Sequence, residues 1–174
     1  MPNWCNNWTH FRHSDKAQLE RLQKAASEDR LFSEFVPNPA GPNADDWYEH
    51  NISNWGTKWD TSAASEHPIE YDSDTGLYTL SISFDTAWSP PLRFYDNLLE
   101  QGWDVDAYYF EPGMNFCGKW SNGYDDHYEI PETAEEAEEQ LPEDLEEVFD
   151  ICQMLWDRQE EEEWEEEDEE SDKR

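Results

Sequence analysis

Six residues in two short stretches have the types and spacing that can hold a ligand. Trp55, Lys58, Trp59 and Asp60 lie in Asn54-Trp55-Gly56-Thr57-Lys58-Trp59-Asp60, and Asp85 and Trp88 lie in Phe84-Asp85-Thr86-Ala87-Trp88-Ser89-Pro90-Pro91. Lys58 is the only basic residue between Arg30 and Arg93. Among so many acids and indoles it is expected to be held by a carboxylate, Asp60 first and Asp85 next. In a strand that starts after Gly56, Lys58 and Asp60 share one face and Trp59 takes the other. Two chemistries fit this set. One is a pocket that anchors a small ligand or substrate through Lys58. The other is a half-buried structural ion pair capped by tryptophan, an arrangement common outside active sites.

A second set is made of carboxylates. Glu143, Glu146, Glu147, Asp150 and Asp157 accompany a run in which Leu141, Leu145, Val148, Phe149, Cys152, Leu155 and Trp156 recur at helical spacing. Pro142 suits a helix start, and Glu143 and Asp144 then favour the positive end of its dipole. The apolar residues form a wide stripe that needs a covering surface, with Glu146, Glu147, Asp150 and Asp157 largely opposite. Glu160, Glu161, Glu162 and Glu163 open an almost unbroken acidic run to Asp172, interrupted by Trp164. Duplex DNA presents one charge per about 1.7 Å of axis, and a fully acidic helix reaches one per about 1.5 Å. A basic cleft built for phosphates therefore has reason to accept such a rod. A disordered, solvated tail is the simpler reading of the same run.

The totals sharpen this contrast. The net charge is −33, from 44 acids against 11 bases in 174 residues. Up to Ile130 there are 22 acids and 8 bases, and after it 22 acids and 3 bases. Self-repulsion at this level works against compactness. It also argues against direct contact with nucleic acid or an anionic membrane and favours a basic partner surface.

Other chemistry finds little support. His10, His13, His50, His67 and His127 form no pair at metal-binding spacing within a known motif, so no metal is expected. There is no phosphate loop, Gly-x-Ser-x-Gly or His-Glu-x-x-His, and no cofactor is implied. Asp72-Ser73-Asp74-Thr75-Gly76 resembles the start of a calcium loop, but its twelfth position is Ser83 rather than glutamate. Cys5, Cys117 and Cys152 are widely spaced and read as small buried side chains. No signal peptide precedes Trp4, and no apolar run is long enough to span a bilayer, so a cytoplasmic location is expected.

The elements that must position these residues follow from periodicity. Asn3 to Phe11 alternates as a first strand, and Ser14 then caps a helix to about Ala26 with Leu19, Leu22 and Ala26 inward. Phe32 to Val36 reads as a short extended piece. Gly56 ends a helix through Trp47, Tyr48 and Ile52, and an interrupted strand runs from Lys58 towards Tyr71. Leu77 to Asp85 is the clearest strand, with Tyr78, Leu80, Ile82 and Phe84 on one face. Ser89 is placed to cap the next helix, which carries Leu92, Tyr95, Leu98 and Leu99 and stops at Gly102. Trp103 to Phe110, Phe116 to Trp120 and Tyr124 to Ile130 form a closing meander, turned at Pro112-Gly113 and Asn122-Gly123. This order implies an α+β fold of the ferredoxin-like split βαββαβ type, with helices on one face of an antiparallel sheet.

Three segments now carry a family likeness: Met1-Pro2-Asn3-Trp4-Cys5-x-Asn7, the Asn54 to Asp60 stretch and the Phe84 to Pro91 stretch, joined by Tyr109-x-Glu111-x-Gly113-x-x-Phe116-x-Gly118. In that order they resemble the YubB-type ferredoxin-like domain family of phages and plasmids, over about residues 1–123. The resemblance implies the fold and a mobile-element origin, and it brings no catalytic residues. The chain departs from it at Thr9, where an apolar residue is usual, and in its acidic C-terminal third.

The expected organisation is a domain over 1–130, an acidic amphipathic helical extension over 131–157 and a mobile acidic tail over 158–174. The expected function is non-enzymatic. The chain would act as a DNA mimic that blocks the nucleic-acid-binding surface of a host defence nuclease of restriction or CRISPR type, as monomer or homodimer. The alternatives are a ligand-binding or enzymatic module using the Trp/Lys/Asp pocket, and a chaperone-like binder of basic proteins.

Overall fold

The computed structural model describes residues 1–172, with side chains described through Glu165. The chain divides into two compact units, Met1–His127 and a second from Tyr128 onward, so the division falls slightly before the expected residue 130.

Alternation builds the sheet of the first unit. In β1 (Trp4–His13) the residues Cys5, Asn7, Thr9 and Phe11 are buried while their neighbours are partly exposed, as a pleated strand with one covered face requires. β1 lies between β4 (Leu77–Ala87) and β5 (Asp104–Glu111), antiparallel to both. β2 (Ser62–Glu66) and β3 (Glu70–Asp72) pair with β4 on its other side. β6 (Phe116–Ser121) and β7 (Tyr124–Glu129) extend the sheet beyond β5. The result is a mixed α+β fold with a seven-stranded antiparallel sheet, six strands lying in the order β2-β4-β1-β5-β6-β7 and β3 pairing with β4 off that path.

Four helices accompany this sheet: α1 (Lys16–Ser27), α2 (Leu31–Phe35), α3 (Trp47–Asn54) and α4 (Leu92–Glu100). Leu19 and Leu22 of α1, Phe32 and Phe35 of α2 and Phe94, Tyr95 and Leu98 of α4 join Phe11, Leu80, Ile82, Phe84 and Val105 in one core. Rings dominate it: Phe32 lies 4.6 Å from Phe94 and 5.7 Å from Trp55 between centroids, at distances where tilted aromatic pairs attract. One close approach fixes the sheet beyond β5. A Cβ on Gly118 would meet the Tyr109 hydroxyl and, at 2.5 Å, the Asp126 carbonyl, so only glycine lets Tyr109 cross β6.

Several local expectations need correction. Phe32 to Phe35 is helical rather than extended, with Val36 as the cap that follows, because a carboxylate distant in sequence holds the first amides of α2 (below). Asp15, not Ser14, caps α1, accepting from the Ala17 amide at 2.9 Å. Ser89 makes no cap for α4; its hydroxyl instead donates to the Gly56 carbonyl at 2.6 Å. Lys58 lies in a bend and the strand begins only at Ser62.

The second unit holds α5 (Ala134–Gln140), α6 (Glu143–Phe149) and α7 (Ile151–Asp172). The single helix expected through Glu143 to Asp157 is thus two. Asp150 adopts the left-handed conformation, with φ 54°, and closes α6. α5 packs along α7, with Ala134 and Ala137 buried on one and Ile151, Cys152 and Leu155 on the other. The expected apolar stripe is therefore met in part by a helix of the same unit. Residues 158–172 continue α7, and the last two residues of the expected 158–174 tail lie outside the described residues. Among the described residues no helix is long and apolar enough to cross a membrane.

Candidate functional sites

The two stretches around Lys58 and Trp88 meet, through side-chain hydroxyls that donate to backbone carbonyls. Thr57 Oγ1 donates to the Ala87 carbonyl at 2.9 Å, and the Phe94 amide donates to the Trp55 carbonyl at 3.1 Å. Asn97 reaches the Asn54 carbonyl at 3.0 Å. Gly56 has φ +84°, and a Cβ there would press on the Leu92 and Arg93 amides at 3.3 and 3.2 Å. These bonds splice the end of α3 onto the start of α4. The pairing of the two motifs is a structural joint.

The six pocket candidates separate. Lys58 is not in any of the ion pairs of the described residues; its Nζ sits over the Trp59 ring, 4.7 Å from the centroid. The expected Lys58–Asp60 pair fails because period-two logic holds only in a strand, and this segment bends. Asp60 instead clasps α2. Its Oδ1 accepts from the Phe32 and Thr61 amides, each at 2.8 Å, and its Oδ2 accepts from Ser33 at 2.9 Å. Burial raises its pKa above the ordinary value, and the three amides oppose that rise. Asp85 accepts from the Asn6 side chain at 2.7 Å, and Trp88, with φ 71°, is exposed.

Trp55, Trp59 and Asp60 do converge, in a cleft of about 480 Å³ that Trp47, Asn51, Asp29, Ser33, Asn38 and the loop at Pro37, Gly41 and Pro42 complete. Lys58, Asp85 and Trp88 are not among its lining residues. Trp55 forms a buried part of it, with its indole N–H donating to the Val36 carbonyl at 2.9 Å. Sequence reasoning missed Trp47 and Asn51. Their separation by one helical turn from each other, behind a proline-rich loop, was the available signal.

The acidic candidates also separate. Glu143, Glu147 and Asp150 are exposed, as are Asp157 and Glu160 through Glu163. Glu146 differs: its carboxylate accepts from the Cys152 amide at 3.2 and 3.0 Å and so holds the first turn of α7. Burial and this neighbouring carboxylate push the Cys152 thiol up to about 11. Glu146 is thus structural, contrary to its expected place on a water-facing surface. Asp157 onwards belongs to a different helix from Glu143 and Glu147. Acids beyond Glu165 lie outside the described side chains. Among the described residues no group of three or more His, Cys, Asp or Glu is placed to hold a metal ion.

No protein-family model matches the chain, and no curated protein matches it. One solved structure is similar in part, the protein Api92 from Yersinia pseudotuberculosis, of the family DUF1281. It is 17% identical with a TM-score of 0.34, over 57% of this chain and 39% of that one. The chain therefore spans about two fifths of the length of that protein.

Proposed function

We propose that the chain is an acidic decoy: a DNA mimic that occupies the nucleic-acid-binding surface of a basic protein, a defence nuclease of restriction or CRISPR type being the partner class. The observation that carries this reading is the length and continuity of α7. At 22 residues it extends for about 33 Å. Its first two turns are anchored by Ile151, Cys152 and Leu155, while Glu160 to Glu165 stand exposed. From Asp157 to Asp172 the sequence holds twelve acids and one arginine, one net charge per ~2 Å of helix, close to the ~1.7 Å spacing of a duplex. An anchored rod loses less ordering entropy on binding than a free tail does. The same reading takes the first unit as a ferredoxin-like split carrying the rod, supported by the strand order β2-β4-β1-β5 with α1 and α4 as its crossovers.

The test immobilises the full chain beside a variant with Glu160, Glu161, Glu162 and Glu163 changed to glutamine. Host-cell extract passed over both should leave DNA-binding proteins on the first only, released by a short DNA duplex and not by neutral dextran. Equal retention on both, or no release by duplex, would count against the proposal.

A further inference from the structure

The cleft beside α3 has an unusual chemistry for so acidic a protein. Trp47, Trp55 and Trp59 line it together with Asp29 and Asp60, and no lysine, arginine or histidine is among its lining residues. Trp47 and Trp59 are 39% and 40% exposed, so solvent reaches their rings, while Trp55 at 6% closes the depth. Indole faces attract cations through the ring quadrupole, tryptophan most strongly of the aromatic side chains. Trp59 already holds one: the Lys58 ammonium stands 4.7 Å from its centroid.

The polar atoms decide which kind of cation fits. Both Asp60 oxygens accept from backbone amides, so this carboxylate supplies charge while its nearest acceptor positions are taken. Asn51 Nδ2 donates to the Lys58 carbonyl at 2.9 Å, and the Trp55 N–H is likewise used. A primary ammonium or guanidinium brings N–H donors that need acceptors of their own, and of the two lining carboxylates only the exposed Asp29 is not already engaged by backbone amides. A cation without N–H groups needs only negative charge and π faces.

From this three-tryptophan cleft with its pre-engaged aspartate, we propose that the protein binds a quaternary ammonium head group there, independently of the decoy helix. A volume near 480 Å³ falls within the range of small-molecule sites. The head group has two possible sources, a free small molecule such as choline or a trimethylated lysine side chain on a peptide.

Calorimetry on the full chain in physiological salt tests this. The probes are choline, its neutral isostere 3,3-dimethyl-1-butanol, and one short peptide with and without trimethylation of its lysine. Saturable binding of choline or of the trimethylated peptide is expected, with the uncharged or unmethylated counterpart at least about tenfold weaker. Trp47→Leu and Trp59→Leu keep the net charge and should each weaken binding by about tenfold or more. Binding of the peptide alone would assign the source to a protein side chain, and binding of choline to a small molecule. Equal binding of the neutral isostere, unchanged affinity in both folded variants, or no saturable heat from either cation would overturn the proposal. The isostere comparison uses the unaltered chain, so it decides the matter even if a variant fails to fold.

Discussion

Replacing Asp60 should destabilise the protein far more than replacing Lys58, although the two were natural partners on paper. The Asp60 carboxylate accepts from three amides, Phe32 and Thr61 at 2.8 Å and Ser33 at 2.9 Å. A hydrogen bond to a charged group nets about 1.5–3 kcal/mol. The cost of burying the carboxylate, visible in its raised pKa, offsets part of that sum. Asp60→Ala leaves all three donors without this acceptor and should cost about 3 kcal/mol. Asp60→Asn can keep one oxygen for the Phe32 and Thr61 amides while setting an NH₂ against the Ser33 amide, so about 1–2 kcal/mol is expected. Lys58→Met removes only a cation–π contact at the surface and should cost less than about 1 kcal/mol. Urea unfolding at neutral pH, with m unchanged, reads all three. If Asp60→Ala costs under about 0.5 kcal/mol, or Lys58→Met costs as much as Asp60→Ala, the clasp is not what holds α2.

Gly118→Ala should cost about 3 kcal/mol in the same assay, because its Cβ would drive against Tyr109 and the Asp126 backbone and neither can yield without moving a strand; a neutral effect would mean β6 shifts freely. His10 titrates below its ordinary 6.5 through burial first and Arg12 next, with His67 adding to the lowering and Asp106 opposing it. The folded state thus favours the neutral ring, so its stabilisation is present above about pH 6.5 and is lost as pH falls through the lowered folded value. Stability of the native chain relative to His10→Gln should decline from pH 7 towards pH 5, and a flat difference would contradict the shift. Glu146→Gln should lower the melting temperature while Glu147→Gln should not, since only Glu146 accepts from the Cys152 amide; equal shifts would argue that only charge was removed.

The regular parts of the fold were legible where burial alternates with the element's own period. Leu80, Ile82 and Phe84 marked β4, Tyr95 and Leu98 marked α4, and Asn122-Gly123 marked the turn into β7, where φ is 44° and 98°. What escaped depended on residues far apart in sequence. α2 is five residues long, too short for periodicity to show, and its amides are met by Asp60, 28 positions away from Phe32. The break at Asp150 hides inside an apolar repeat that runs on across it. α5 was within reach: Thr133 Oγ1 accepts from the Glu136 amide at 3.3 Å, and Thr-x-x-Glu is the pattern of a capping box. Of the pocket, Trp55, Trp59 and Asp60 were readable as a group, while Trp47 was missed. Lys58, Asp85 and Trp88 were not separable from them, because the chain turns between residues 56 and 60 instead of continuing as a strand.

The decoy reading is tested most directly by displacement of DNA. A labelled duplex bound to a nuclease captured by the chain is titrated with the full-length protein, and its anisotropy is followed between about 50 and 200 mM salt. The account predicts complete displacement with one competing chain per duplex site, and an apparent affinity that falls at least about tenfold across that salt range. Duplex that stays bound at saturating protein, or displacement that salt leaves unchanged, would contradict it.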